Sequence, residues 1–259
     1  MFAGRARCGA ETGGDFRYGA FKADGSEVSQ GGTGARCFAR FVRGEGLTDK
    51  HRSRVEPAAG EMTLNVTDDG LVTVDMGAPL WAPEAIPFVA KQEADTYVLV
   101  SGNNAYEISA VGLGNPHLVM LTENVDNAPV ATLGPELEHH EQFPERVNVG
   151  FMQIVSRREI RLRVFERGAG ETLACGSGAC AVAVAGALRD LTDTRILQAA
   201  DGGWLALDCP DGADVMTRRA ARAMQDCAYR GLLHTTDWEW SARRHAWAGW
   251  GRRRQTEAA

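Results

Sequence analysis

Glu171-Thr172-Leu173-Ala174-Cys175-Gly176-Ser177-Gly178-Ala179-Cys180-Ala181 is the stretch on which the reading of this chain turns. A cysteine stands before a Gly-Ser-Gly turn, and an apolar run follows, from about Ala179 to Arg189. That run is apolar nearly all round, the pattern of a buried central helix. A helix start presents unpaired N–H groups and partial positive charge, which bind carboxylates and lower a thiol's pKa. Glycines let a ligand approach the backbone. The loop alone reads equally well as a buried, inert cysteine before a helix.

Outward from this stretch, the chain repeats itself. Glu27-Val28-Ser29-Gln30-Gly31-Gly32-Thr33-Gly34-Ala35-Arg36-Cys37 runs on to Leu47-Thr48-Asp49, as Glu171 to Ala181 runs on to Leu191-Thr192-Asp193. The offset is 144 residues without a gap (Gly31 to Cys175). Two copies so far apart are no solenoid and imply two related halves facing each other. Met62–Thr67 and Leu71–Met76 read as a hairpin turned at Asp68-Asp69-Gly70. Further hairpins are predicted for Thr96–Ser101 with Ala105–Ser109 and for Phe151–Ser156 with Ile160–Glu166. The first Gly-rich loop precedes a helix at about Ala35–Arg43. The expected class is α+β, with two pseudo-symmetric domains, each of antiparallel strands around a central helix. Residues 1–76 form the first and 77–220 the second, with Pro79, Pro83 and Pro87 marking the join. The tail, 221–259, is expected either to pack back on the first domain or to be disordered.

Composition excludes several classes. At 259 residues with 44% hydrophobic and 24% charged content, the chain is ordinary for a globular protein. A net charge of −6 argues against nucleic acid as the main partner. No apolar run is long enough to span a bilayer and no signal-type leader stands at Met1–Gly14, so no membrane partner and a cytoplasmic location are expected. The six Cys include no Cys-x-x-Cys pair, and Cys175 with Cys180 lacks a second ligand pair, so free thiols are expected and a structural metal is not.

Several runs occur in order: Gly114-Asn115-Pro116-His117, Arg146-Val147-Asn148-Val149-Gly150-Phe151, and Phe165-Glu166-Arg167-Gly168-Ala169-Gly170-Glu171 continuing through Cys175-Gly176-Ser177-Gly178-Ala179. With Ala23-Asp24-Gly25 and Gly34-Ala35-Arg36-Cys37-Phe38-Ala39-Arg40-Phe41, they resemble the motifs of the diaminopimelate epimerase family over roughly Asp15 to Leu207. The resemblance implies conversion of LL- to meso-diaminopimelate in lysine biosynthesis, without metal or other cofactor, in a cleft between two domains of a homodimer. The partner it implies is a small-molecule amino-acid substrate. Inverting a Cα centre needs a base on one face and an acid on the other, and two thiols suit this. By resemblance Cys175 is one such thiol. Gly176 and Ser177, with Gly32 and Thr33 opposite, offer N–H groups to the α-carboxylate. Asn115 and Asn148 bond the substrate, Glu166 and Arg167 hold its amino and carboxylate groups, and His117 supports the thiol. Taken singly, Asn115 is a turn residue before Pro116, His117 a structural histidine, and Glu166-Arg167 a strand-end ion pair.

The chain departs from the pattern at named positions. Gly31 stands where the family has its other Cys, and subtracting the repeat offset from Cys175 leads to the same residue. Thr33 and Lys22 replace Asn residues, and the segment before Asp15 lacks the family's Gly-Asn-Asp-Phe run, as if the first domain were truncated. Gly31 has no proton to give, so two-base inversion is expected to fail, leaving one-sided proton exchange or an inactive protein. Cys37 lies inside the predicted helix, past the loop. The alternatives are a non-catalytic binding or interaction homologue and a proline-racemase-like enzyme. An Arg- and Trp-rich tail (Trp238, Trp240, Trp247, Trp250) would also suit single-strand stacking, but reads better as divergent or frame-shifted sequence.

Overall fold

The computed structural model describes residues 6–7, 14–21, 27–28, 32–56, 61–68, 71–193, 195–200, 203–208 and 228–231. The first half contains β1 (Ala6–Arg7), β2 (Phe16–Tyr18), β3 (Ala20–Phe21), β4 (Glu27–Val28), α1 (Gly32–Gly44), β5 (Arg52–Glu56), β6 (Met62–Val66) and β7 (Val72–Asp75). The second contains β8 (Tyr97–Ser101), β9 (Asn104–Gly112), β10 (Pro116–Leu121), α2 (Val130–Glu138), β11 (Asn148–Ser156), β12 (Glu159–Glu166), β13 (Gly170–Thr172), α3 (Gly176–Leu188), β14 (Arg195–Ala200) and β15 (Gly203–Asp208). A last strand, β16 (Ala228–Gly231), pairs with β7 on one side and β15 on the other, so it links the two halves. Among the described residues one sheet runs β1-β2-β5-β6-β7-β16-β15-β14-β12-β11-β10-β9-β8 with β13 on β12, and β3-β4 is a separate ribbon. The class is α+β.

All three expected hairpins are present, as β6–β7, β8–β9 and β11–β12. Alternation drives them: along β6 Met62, Leu64 and Val66 are buried, and along β12 Ile160, Leu162 and Val164. Most pairings are antiparallel, but β2–β5, β10–β11 and β12–β14 are parallel. Hairpin signals in a sequence report only neighbours joined by short turns, so such crossovers escape them.

The repeat is visible in the pairing itself. Ala20 with Val28 and Phe21 with Glu27 recur 144 residues on as Val164 with Thr172 and Phe165 with Glu171. α1 and α3 start and stop at the same offset. Both helices begin three residues before their predicted starts, at Gly32 and Gly176 instead of Ala35 and Ala179. The glycine triplets are therefore first turns, not loops. Cys175 explains the second case: it is extended (φ −128°, ψ 115°) and its sulfur accepts the N–H of Gly178, so it caps the helix and offsets the poor propensity of glycine.

One apolar cluster gathers α1, α3 and the strands of both halves, with Phe38 and Val42 from α1, Met76 after β7, and Val182 and Val184 from α3. Every residue of α3 from Gly176 to Ala187 is buried. A second cluster underlies β8–β11 and takes Val130, Leu133 and Leu137 from α2. Phe88 closes it, stacked on Phe143 (ring centroids 4.6 Å apart) and edge-on to Tyr97 (4.7 Å). No helix among the described residues is long and apolar enough to cross a membrane.

Candidate active site

Topology gathers the predicted residues at one edge of the second half. β10 and β11 are parallel and begin there, with His117 in register with Asn148. β12 runs the other way and ends there at Glu166, and α3 starts there behind Cys175. Gly114 (φ +73°) turns the chain just ahead of Asn115, and Gly168 (φ +68°) turns it after Arg167.

The side chains form a connected set. The Cys175 sulfur lies 3.4 Å from the Gly178 nitrogen and 3.7 Å from the Ser177 hydroxyl. Asn115 donates to that hydroxyl (3.4 Å), and the Asn115 carbonyl oxygen lies 2.9 Å from His117 Nε2. An amide oxygen only accepts, so His117 carries its proton on Nε2. Asn148 donates to the Pro116 carbonyl (2.9 Å) and accepts the Arg167 N–H (3.0 Å). Arg167 in turn donates from its guanidinium to the Glu145 carbonyl (2.9 Å). Thr172 donates to the Glu166 carboxylate.

Electrostatics here run against one expectation. The helix start was expected to lower the Cys175 thiol's pKa; instead burial, and then the negative charge of Glu166, push it well above the ordinary thiol range. The Gly178 N–H and Ser177 act in the lowering direction but are outweighed. Cys175 is therefore a thiol that holds its proton. His117 is depressed to about 3 by burial and by the positive charge of Arg167, so its ring is neutral.

The first half meets this site end to end. A Cβ placed on Gly32 would lie 3.7 Å from Gly176 Cα and 2.9 Å from Met76 Sδ, so the starts of α1 and α3 touch at equivalent glycines. First-turn N–H groups have no acceptor within their own helix. Two such turns therefore converge on one spot, suited to a carboxylate. Thr33 belongs to the first turn of α1, whereas Gly31 and Lys22 lie outside the described residues. Cys37 is exposed on α1, and Cys37, Cys175 and Cys180 are all free of disulfides.

Sequence reading missed α2 and its last residue, Glu138. The signal was there in Val130, Leu133 and Leu137 at helical spacing, but Gly134-Pro135 masks it.

Comparison with known proteins places the chain in a family. The sequence pattern of the family described as diaminopimelate epimerase matches residues 6–82 and 109–222. A protein named diaminopimelate epimerase from Nitrosomonas eutropha is 56% identical over 205 residues, spanning 79% of this chain and 73% of that one. Among solved structures, a hydroxyproline epimerase from Agrobacterium vitis superimposes with a TM-score of 0.63 at 14% identity, over 88% of this chain and 71% of the other. A PhzF-family phenazine biosynthesis protein from Bacillus anthracis gives 0.57 at 13% identity, over 86% and 79%. Those two share the fold, whereas the sequence match reaches the thiol loop itself, and by that match the chain belongs to the diaminopimelate epimerase family.

Proposed function

We propose that the junction of α1 and α3 binds diaminopimelate and that Cys175 moves its α-hydrogen on one face of Cα. The observation that carries this is the Cys175 sulfur, buried at the start of α3 beside Ser177, Asn115 and the Glu166 charge. The N–H groups of Gly176 and Ser177, with those of Gly32 and Thr33, receive the α-carboxylate, where negative charge grows as the proton leaves. Asn115, Asn148 and Arg167 fix the substrate, and Glu166 pairs with its ammonium group. That pairing matters for the thiol. Once Glu166 is paired with the substrate ammonium, its opposition to the thiolate falls, and the burial of the sulfur is what still holds the proton on Cys175 until the α-hydrogen is moved. His117 stays neutral and supports the loop through Asn115. The class of reaction is that of the family, an epimerase of lysine biosynthesis acting in the cytoplasm as a homodimer, with no metal or other cofactor.

Gly31 limits what this site does. Opposite Cys175 the repeat supplies no sulfur, so hydrogen taken from one face returns to the same face. The natural chain then exchanges the α-hydrogen with retention and inverts little. The test is proton NMR of LL- and meso-diaminopimelate with the protein in heavy water. Loss of the α-proton signal without change of configuration is the expected result. No exchange, with binding intact, would make the chain a ligand-binding homologue, and exchange of proline in preference to diaminopimelate would move it to the proline-racemase side.

A further inference from the structure

We infer that Glu138, at the end of α2, is a positioning residue that sets the substrate-gripping turn Glu166–Gly168 relative to Asn148, an inference resting on the reading of this site as a diaminopimelate cleft. Glu138 is buried, with 4% of its surface exposed, and bonds to both arms of the site. Its carboxylate accepts the Gly168 N–H at 2.7 Å, and its main-chain carbonyl accepts the Val147 N–H at 3.2 Å. The next residues along those two arms, Asn148 and Arg167, are joined by the bond from the Arg167 N–H to the Asn148 side chain at 3.0 Å. Three hydrogen bonds thus close a frame: Glu138 to Val147, Asn148 to Arg167, and Gly168 back to Glu138. Two of the frame's corners carry residues proposed to hold substrate.

A second contact holds α2 at this distance. Gly134, one turn before Glu138 on the same face, is so close to Phe165 that a Cβ there would lie 2.7 Å from the ring. Phe165 is the residue before Glu166. The helix is therefore seated on β12 by a glycine and tied to the turn by a carboxylate. Arg146 (3.9 Å) and His139 (3.6 Å) also stand near Glu138, but both are more than half exposed and add little through water. The bond to Gly168 is the shorter of Glu138's two, running from a buried carboxylate to an exposed turn, so breaking it frees the turn at about the net worth of one hydrogen bond.

The test compares Glu138→Gln with Glu138→Ala. Glutamine keeps an acceptor for Gly168 and loses the charge; alanine loses both. Calorimetric titration with meso-diaminopimelate is expected to give a Kd raised about 2- to 10-fold in Glu138→Ala and close to the natural value in Glu138→Gln. Peptide-level hydrogen exchange on the ligand-free proteins adds a readout independent of substrate. Protection of residues 166–170 should fall in Glu138→Ala while residues 176–188 of α3 stay protected. Equal weakening in both variants would overturn the inference, since charge and not the frame would then matter, as would unchanged affinity and exchange in Glu138→Ala. If the natural chain binds no diaminopimelate, the functional reading fails, and the exchange data still decide whether Glu138 holds the turn.

Discussion

α1 and α3 begin with nearly the same triplet, lie 144 residues apart in the chain, and touch at their starts through Gly32 and Gly176. Yet they are embedded differently. α3 is buried on every side from Gly176 to Ala187, while α1 buries Ala35, Phe38, Ala39 and Val42 and turns Cys37 and Arg40 to solvent. The residue before each start differs in step: a capping cysteine before α3, a glycine before α1. Duplication thus supplied two matching first turns, and among the described residues a buried sulfur stands at the start of α3.

The sharpest way to break this comparison is to remove the sulfur on one side. Cys175→Ser should lower α-hydrogen exchange by about 10²-fold or more, measured by NMR in heavy water, since positioned acid–base groups contribute about 10²–10⁴. Cys37→Ser, on the exposed face of α1, should leave the rate unchanged. Equal losses would mean that the two helices share the chemistry.

A smaller effect follows from His117, which lies in the α3 half. Its ring is neutral when folded and titrates near 3, against 6.5 when free. Below pH 6.5 the unfolded chain binds a proton that the folded chain refuses. The stability carried by the neutral ring is therefore complete above pH 6.5 and is lost as pH falls toward 3, at roughly 1.4 kcal/mol per pH unit. In urea titrations between pH 6.5 and 4, the natural chain should lose stability faster than His117→Gln by about that slope. Parallel slopes would mean that His117 meets water.

The smallest pair of effects compares the packing around the two helices. A Cβ on Gly186 of α3 would meet the Thr192 hydroxyl at 2.7 Å, whereas one on Gly44 of α1 would meet nothing within 4 Å. Gly186→Ala should cost about 1–3 kcal/mol and Gly44→Ala should change stability by no more than about 0.5 kcal/mol in the same denaturation assay.

Much of this was legible in the sequence, for reasons that can be named. The gapless repeat and the turn residues at Asp68 and Gly102 gave the hairpins and the two halves, because those signals are local. The apolar run after Gly178 gave a buried helix, but not its start: a sulfur cap is invisible to propensity. Parallel neighbours such as β10 and β11, which bring His117 level with Asn148, depend on a crossover that no short-range pattern reports. The frame around Glu138 was illegible because its partners are 9 and 30 residues away along the chain and bond through main-chain atoms. The thiol's raised pKa went unread for a related reason: the sequence shows the helix start but not the depth of burial or the charge of Glu166 beside it.

The most direct measurement is inversion of LL-diaminopimelate by Gly31→Cys beside the natural chain, followed by NMR or chiral chromatography. The expectation is that meso product forms with the variant while the natural chain exchanges the α-hydrogen without inverting it. Inversion by the natural chain at an ordinary enzymatic rate, unchanged by the new cysteine, would show that a second sulfur opposite Cys175 is not what the site lacks.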